Sequence, residues 1–176
     1  MSVEKIGRYE VRSELGKGAM GIVYKAEDPT IGRIVAVKTT RMDVGHMDDD
    51  EVIRRFRHEA RAAGALHHSN IVTIFDAGEQ GELFYIAMEY VEGETLQRLL
   101  RQRRFSRRET LDLSRQICAG LDYAHSHGVI HRDVKPANIA VTAEGIAKIM
   151  DFGIAKTGGG MTTDGQVLGT PYYMAP

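Results

Sequence analysis

The run His131-Arg132-Asp133-Val134-Lys135-Pro136-Ala137-Asn138 constrains this chain more than any other segment. It sets an acid, two cations and a carboxamide within one octapeptide, at spacings that suit a phosphate and its metal. Asp133 can orient a hydroxyl nucleophile, Lys135 can sit on a migrating phosphoryl group, and Asn138 can hold a metal ion. Asp151-Phe152-Gly153 follows after the strand-like Ile146-Ala147-Lys148-Ile149-Met150. An acid there, with Asn138 upstream, supplies the oxygen ligands that Mg²⁺ prefers to share with substrate phosphates. Any fold for this chain has to present these two segments to the same chemistry.

Composition limits the alternatives. The 176 residues fit one ordinary domain or two small lobes, and 43% hydrophobic with 27% charged residues is a globular balance. A net charge of −1 gives no global reason to expect nucleic acid or an anionic membrane as a partner. One cysteine, Cys118, cannot form an internal disulfide, which fits a reducing, cytoplasmic compartment. The N-terminal MSVEKIGRYE has no apolar signal region, and stretches such as Phe84 to Met88 are too short to cross a bilayer.

The first ninety or so residues read as an antiparallel sheet with one inserted helix. Tyr9, Val11, Ser13 and Leu15 alternate at period 2, as a strand requires. Gly16, Gly18 and Gly21 mark a loop leading into Ile22-Val23-Tyr24, and Arg33 to Thr39 is a third, β-branched strand. Ile71 to Ala77 and Leu83 to Tyr90 flank a connection at Gly78-Glu79-Gln80-Gly81. Residues 48 to 66 read as a helix, with Val52, Phe56, Glu59, Ala60 and Ala63 on one face. Asp48, Asp49, Asp50 and Glu51 open it as an acidic first turn rather than as a metal site.

Beyond Val91 the pattern turns helical. One short helix covers Thr95 to about Arg103. A longer one starts from the capping box Ser106-Arg107-Arg108-Glu109 and stops at Gly128, with Leu113, Ile117, Leu121 and Ala124 as its apolar stripe. Cys118 is expected to pack within that helix. Arg101, Arg103, Arg104, Arg107 and Arg108 read as a solvated inter-helix connection, with a docking patch for acidic substrates as the alternative. His58, His67, His68, His125 and His127 show no metal-ligand pattern and are assigned surface or capping roles.

Gly16-Lys17-Gly18-Ala19-Met20-Gly21-Ile22-Val23 has the G-x-G-x-x-G-x-V spacing. Residues without Cβ let backbone N–H groups approach phosphate oxygens. The same glycines open dinucleotide-binding folds, but there they join a strand to a helix; here they join two strands. Val35-Ala36-Val37-Lys38 places a lysine on the neighbouring strand. Glu59 is its natural partner, because burying an unpaired ammonium is costly.

Together these motifs resemble the N-terminal part of a eukaryotic-type protein kinase, most like the bacterial serine/threonine branch, over Tyr9 to Pro176. The resemblance implies an α+β, two-lobed, protein-kinase-like fold. A five-stranded antiparallel sheet plus helix would form residues 1–91, and a mostly helical partial lobe residues 92–176. It implies ATP and Mg²⁺ as cofactors and Ser/Thr hydroxyls of proteins as acceptors. Asp133 would then be catalytic, with Lys135 on the γ-phosphate and Asn138 and Asp151 as metal ligands. Leu15, Gly16, Lys17, Gly18, Ala19, Met20, Gly21, Ile22 and Val23 would cover the nucleotide, with Ala36 completing the roof. Lys38, held by Glu59, would contact the α and β phosphates. Glu89 and Val91 would bond adenine after a Met88 gatekeeper, and Thr95 would reach the ribose. His131 would pack the catalytic loop, and Thr170 of Gly169-Thr170-Pro171 would bond towards Asp133 and Lys135.

The resemblance also implies regulation. Arg132 reads as an unmet cation, and Thr162 or Thr163, phosphorylated by the enzyme itself, would supply its anion. Asp164 would act as a built-in negative charge. Ala140 stands where the family usually has a bulkier aliphatic residue under the adenine, with Met150 as a neighbour able to fill the gap. The chain ends at Tyr172-Tyr173-Met174-Ala175-Pro176, before the glutamate of an A-P-E motif, and so reads as a fragment of a longer kinase. The resemblance implies a cytoplasmic location, compatible with the cytoplasmic domain of a membrane-anchored receptor kinase whose later residues are absent. A non-catalytic nucleotide-binding scaffold is the second reading, separable by ATP binding without transfer.

Overall fold

The computed structural model describes residues 4–18, 21–41, 49–81 and 83–152. Ala19, Met20, Asp48 and everything from Gly153 onward lie outside the described residues. Thr162, Thr163, Asp164, Thr170 and the terminal Tyr172–Pro176 are among them. The chain divides into two compact units, residues 1–64 with 73–90, and residues 65–72 with 91–176.

The first unit is an antiparallel sheet. Its strands are β1 (Lys5–Ile6), β2 (Tyr9–Gly18), β3 (Gly21–Asp28), β4 (Arg33–Arg41), β5 (Ile74–Gln80) and β6 (Leu83–Glu89). They are ordered β1-β2-β3-β4-β6-β5, and helix α1 (Asp49–Gly64) is inserted between β4 and β5. The five long strands match expectation, and the two-residue β1 adds a sixth at the edge beside β2.

Alternation in β4 sends Val35 and Val37 into a core with Ile6, Tyr9, Ala26, Tyr85 and Ala87. Tyr9 is fully buried, so its hydroxyl needs a partner and donates to Asp76 Oδ2 at 3.0 Å. Arg8 joins the same group, with Nε 3.2 Å from Asp28 Oδ2 and Nη1 3.2 Å from Asp76 Oδ2. Helix α1 buries Phe56, Ala60 and Ala63, and the Phe56 ring meets Phe84 edge-on at 5.0 Å.

Two expectations shift here. The glycine motif is less of a loop than its spacing suggests: Gly16 and Gly18 lie in β2, Gly21 opens β3, and Gly18 pairs with Gly21. The β5–β6 strands also run on through Gly78, Glu79 and Gln80, which pair with Tyr85, Phe84 and Leu83. At the other end, Ile71 is not in β5. It bridges Ile149 in parallel, and Val72 N–H donates to Ile149 O at 2.9 Å, so this stretch belongs to the second unit.

That unit holds β7 (Gly93–Thr95), α2 (Leu96–Gln102), α3 (Arg107–Ser126), one 3-10 turn (Pro136–Asn138), β8 (Ile139–Thr142) and β9 (Ala147–Ile149). The strands form a small sheet in the order β7-β8-β9. Helix α3 begins at a complete capping box. Ser106 Oγ accepts from Glu109 N–H (3.2 Å) while the Glu109 carboxylate accepts from Ser106 N–H (2.8 Å). Leu113 of its stripe packs with Ile139, Val141 and Ala147, joined by Leu96, Leu99, Phe105 and Ile117. Cys118 is exposed, not packed as expected, because it stands off the Leu113–Ala124 stripe. Gly120 brings α3 close to β9: a Cβ there would sit 2.8 Å from Ile149 Cδ1 and 3.2 Å from Asn70 O.

Gly21 has φ +126, and a Cβ on it would run into the carbonyl of Thr39, whereas one on Gly18 would meet nothing within 4 Å. Gly21→Ala should therefore cost about 2 kcal/mol or more through strain and displaced backbone, and Gly18→Ala about 1 kcal/mol at most. Urea unfolding of both variants checks this; equal losses would show that the Gly21 contact does not matter.

Candidate active site

In the second unit, local chain geometry gathers the sequence-predicted groups of segment 131–138. Asp133 Oδ2 lies 3.0 Å from Lys135 Nζ and accepts from Asn138 Nδ2 at 3.1 Å. The same amide also donates to Asp133 O at 2.9 Å, closing the loop on itself. The 3-10 turn allows this, since Asn138 N–H donates to Lys135 O at 2.8 Å and folds the carboxamide back over Asp133. The Asp133 and Lys135 side chains are partly buried, which strengthens their attraction relative to a solvated pair.

Asp151 is placed beside this loop by the β8–β9 hairpin. Ile139 pairs with Ile149, and Met150 N–H donates to Asn138 O at 2.9 Å. With Nδ2 donating to Asp133, the acceptor of the Asn138 amide is its Oδ1. Asn138 and Asp151 thus provide a carbonyl and a carboxylate oxygen. Such a donor set fits Mg²⁺, a hard cation that keeps waters and binds through few protein ligands. Among the described residues no group of three or more His, Cys, Asp and Glu could hold a metal by itself. The fit therefore rests on substrate oxygens completing the shell.

Two residues here adopt left-handed backbone without being glycine: Arg132 at φ 62 and Asp151 at φ 60. Such conformations cost energy and persist where the surroundings enforce them. His131 is one enforcer, 1% exposed, on the loop's inner side. Its Nδ1 accepts from Asp133 N–H at 3.2 Å, so Nε2 carries the proton donated to Met150 O at 2.8 Å. Its ring also packs on Phe152 with centroids 4.7 Å apart. The packing role expected of His131 is what the geometry shows. Arg132 already has an interaction partner, so it is not the unmet cation that its sequence context suggests.

Sequence reasoning missed a second brace. Asn70 Nδ2 donates to Gln116 Oε1 and to Ala147 O, both at 2.9 Å. Gln116 Oε1 also accepts from Ala147 N–H (2.9 Å), and its Nε2 donates to Gly145 O (3.0 Å). The β8–β9 hairpin that carries Asp151 is thereby tied to α3 and to residues 65–72. Two polar residues 46 positions apart leave no pattern that periodicity could detect.

The other predicted residues lie elsewhere. Leu15, Gly16, Lys17, Gly18, Gly21, Ile22, Val23, Ala36, Lys38, Glu59 and Glu89 belong to the first unit. Val23 pairs with Lys38, and Lys25 with Ala36. Leu15, 46% exposed, departs from the inward alternation that Tyr9 begins. Lys38 and Glu59 each have interaction partners. Glu89 N–H donates to Thr73 O at 2.8 Å, and its carboxylate accepts from Thr73 N–H at 3.2 Å. Val91 and Thr95 are in the second unit, where Thr95 Oγ1 caps α2 by accepting from Arg98 N–H at 3.3 Å. Thr95 pairs with the buried Ala140.

Residues 9–176 match the protein kinase domain family model. The serine/threonine-protein kinase PrkC of Bacillus subtilis is 42% identical over 173 residues, 97% of this chain and 26% of that protein. The serine/threonine-protein kinase PknB of Mycolicibacterium smegmatis is 42% identical over 178 residues, 96% of this chain and 28% of that protein. The crystal structure of the PknI kinase domain of Mycobacterium tuberculosis superposes with a TM-score of 0.75 at 33% identity, covering 88% of this chain and 62% of that one. The chain belongs to the protein kinase family, among the bacterial serine/threonine kinases of eukaryotic type, and has their fold. It spans about a quarter of the length of these curated relatives.

Burial pushes the His131 imidazole below its usual range, although the bond to Met150 O and the carboxylates of Asp133 and Asp151 pull the other way. A base with a depressed folded pKa contributes stability that is complete above the unfolded value of about 6.5. That stability is lost as pH falls through the folded value, because the unfolded chain binds the proton first. Urea unfolding from pH about 7.5 to 5 should show this decline in the wild type. His131→Gln should be less stable near neutrality but lack the His131 part of the acid slope. Identical slopes in both proteins would remove His131 as the source.

Proposed function

We propose that this chain carries the phosphoryl-transfer machinery of a serine/threonine protein kinase, moving the γ-phosphate of ATP to Ser or Thr hydroxyls of proteins. The supporting observation is the joint placement of Asp133, Lys135 and Asn138 in one self-bonded loop. Asp133 aims a carboxylate at an incoming hydroxyl and accepts its proton. Lys135, a flexible ammonium with three donors, stays near Asp133 and offers charge to the transferred group. Asn138 holds Asp133 through Nδ2, so one carboxamide serves both the acid and a cation site. Mg²⁺ on Asn138 and Asp151, when bound, would neutralise charge on the phosphates.

In the first unit, Gly16 and Gly18 have open space where a Cβ would project, which suits close approach of phosphate oxygens. Lys17, Gly21 and Ile22 belong to that covering strand pair, and Ala19 and Met20, which lie outside the described residues, are assigned to the same nucleotide contact. Lys38 is assigned to the α and β phosphates with Glu59 as its orienting partner. Leu15, Val23 and Ala36 are assigned to the adenine roof. Because Glu89 N–H is engaged by Thr73, the adenine contact assigned to Glu89 falls on its carbonyl, with Val91 beside it. Thr95 accepts a bond as a cap and keeps a hydroxyl hydrogen to give a ribose. Thr162 and Thr163 are assigned as self-phosphorylation sites, and the domain is assigned to the cytoplasm.

In the full-length parent, Asp133→Asn should lower transfer about 10²- to 10⁴-fold, and Lys38→Met should do likewise with the fold intact. Transfer of ³²P from γ-labelled ATP to the protein and to a Ser/Thr substrate measures it, and chelating Mg²⁺ should abolish it. Wild-type rates in either variant would exclude this assignment of roles.

A further inference from the structure

Six arginines and no lysine or acid occupy the eleven positions from Arg98 to Arg108, in a chain whose net charge is −1. Two of them are paired: Arg98 Nε with Glu94 Oε2 at 3.3 Å, and Arg103 Nη1 with Glu109 Oε1 at 2.7 Å. Arg101, Arg104, Arg107 and Arg108 are exposed and have no ion pair among the described residues.

The connection that displays them is tied down. Arg103 N–H donates to Leu99 O at 3.0 Å, and the Arg103 guanidinium lies over the Phe105 ring at 4.2 Å. Phe105 itself turns inward against the Leu113 core. Glu109 is held by Ser106 N–H, by Ser106 Oγ and by Arg103, which together lower its carboxyl to about 2. A rigid turn presents charged groups at little cost in ordering entropy.

A cation suits the dipole at Arg101, in the last turn of α2, but fold stability does not account for Arg107 and Arg108. Arg107 and Arg108 occupy the first two positions of α3, at the positive end of its dipole, where acids stabilise and cations destabilise. Local rules broken without structural gain are expected at functional surfaces. The chemistry of the patch also selects a partner. Guanidinium forks bind carboxylates bidentately, which a ring of ammonium groups would not do. Leu111, three positions after Arg108 and four after Arg107 on the same side of α3, is 61% exposed and offers an apolar contact among the charges. A bilayer surface fits less well: interfacial segments insert aromatic residues, and the one aromatic here is turned into the core.

We propose that Arg101, Arg104, Arg107 and Arg108 form a docking surface for a carboxylate-rich segment of a partner protein, with Leu111 receiving an apolar side chain of that segment. The surface is formed wholly within the second unit and is independent of the catalytic assignments.

The test is fluorescence anisotropy with the full chain and a fluorescein-labelled peptide of eight glutamates and two leucines. Saturable binding that weakens as salt rises is expected. The variants R101Q/R104Q and R107E/R108E should each bind about tenfold more weakly or worse. R107E/R108E should also melt at a higher temperature than wild type, since it places acids at the positive end of α3. R101Q/R104Q touches neither the cap nor the core, so it decides the matter if the other pair fails to fold. Wild-type affinity in R101Q/R104Q, equal binding of a glutamine-for-glutamate peptide, or capture of the chain by phosphatidylserine vesicles without peptide binding would each overturn the proposal.

Discussion

The carboxamide of Asn138 is the interaction on which the catalytic-loop geometry depends. Its Nδ2 reaches both the backbone and the side chain of Asp133, while the backbone carbonyl of the same residue receives Met150 N–H. A single buried residue, through its side chain on one side and its backbone on the other, therefore couples the loop that holds Asp133 and Lys135 to the strand end that holds Asp151. Buried polar groups are costly unless satisfied, so the arrangement is close to all-or-none. The left-handed backbone of Arg132 and Asp151, on either side of this link, is the strain it has to sustain.

Support for the link comes from residues that do no chemistry. His131 bonds Asp133 N–H with one ring nitrogen and Met150 O with the other, bracing the same two segments from beneath. Asn70 and Gln116 fasten the β8–β9 hairpin to α3, and Gly120 lets the helix approach. Sites placed on rigid, hydrogen-bonded supports hold their geometry better than sites on free loops. The segment 65–72 follows α1 in sequence yet serves the second unit, because its polar partners lie there.

Electrostatics divides the second unit into two kinds of surface. Around Asp133 charges are paired and partly buried, which gives them defined positions. Along Arg98 to Arg108 they are concentrated, and most have no ion pair among the described residues, which gives them reach towards another molecule. The capping box and the Arg103–Glu109 pair keep that second surface fixed without neutralising it.

Much of the fold was legible because its signals are local. Period-2 alternation announced β2, β-branched composition β4, and the Gly78–Gly81 connection β6; the Ser106–Glu109 box announced the start of α3; and α1 falls within one or two residues of its expected ends. The readings that failed needed distant partners. Ile71 left the expected strand for Ile149, and the glycine motif became part of two paired strands with Gly21 against Thr39. Cys118 fell on the exposed side of its helix because Leu113, Gly120 and Ala124 define the buried one. Asp133, Lys135, Asn138 and Asp151 were singled out as candidates from the sequence, because their motif spacing resembles that of the protein kinase family. Which nitrogen of His131 carries a proton, which groups the Asn138 amide bonds, and what holds the Asp151 hairpin were settled only by tertiary structure. Hydrogen-bond direction and burial depend on atoms from remote parts of the chain, and no stretch of sequence contains them.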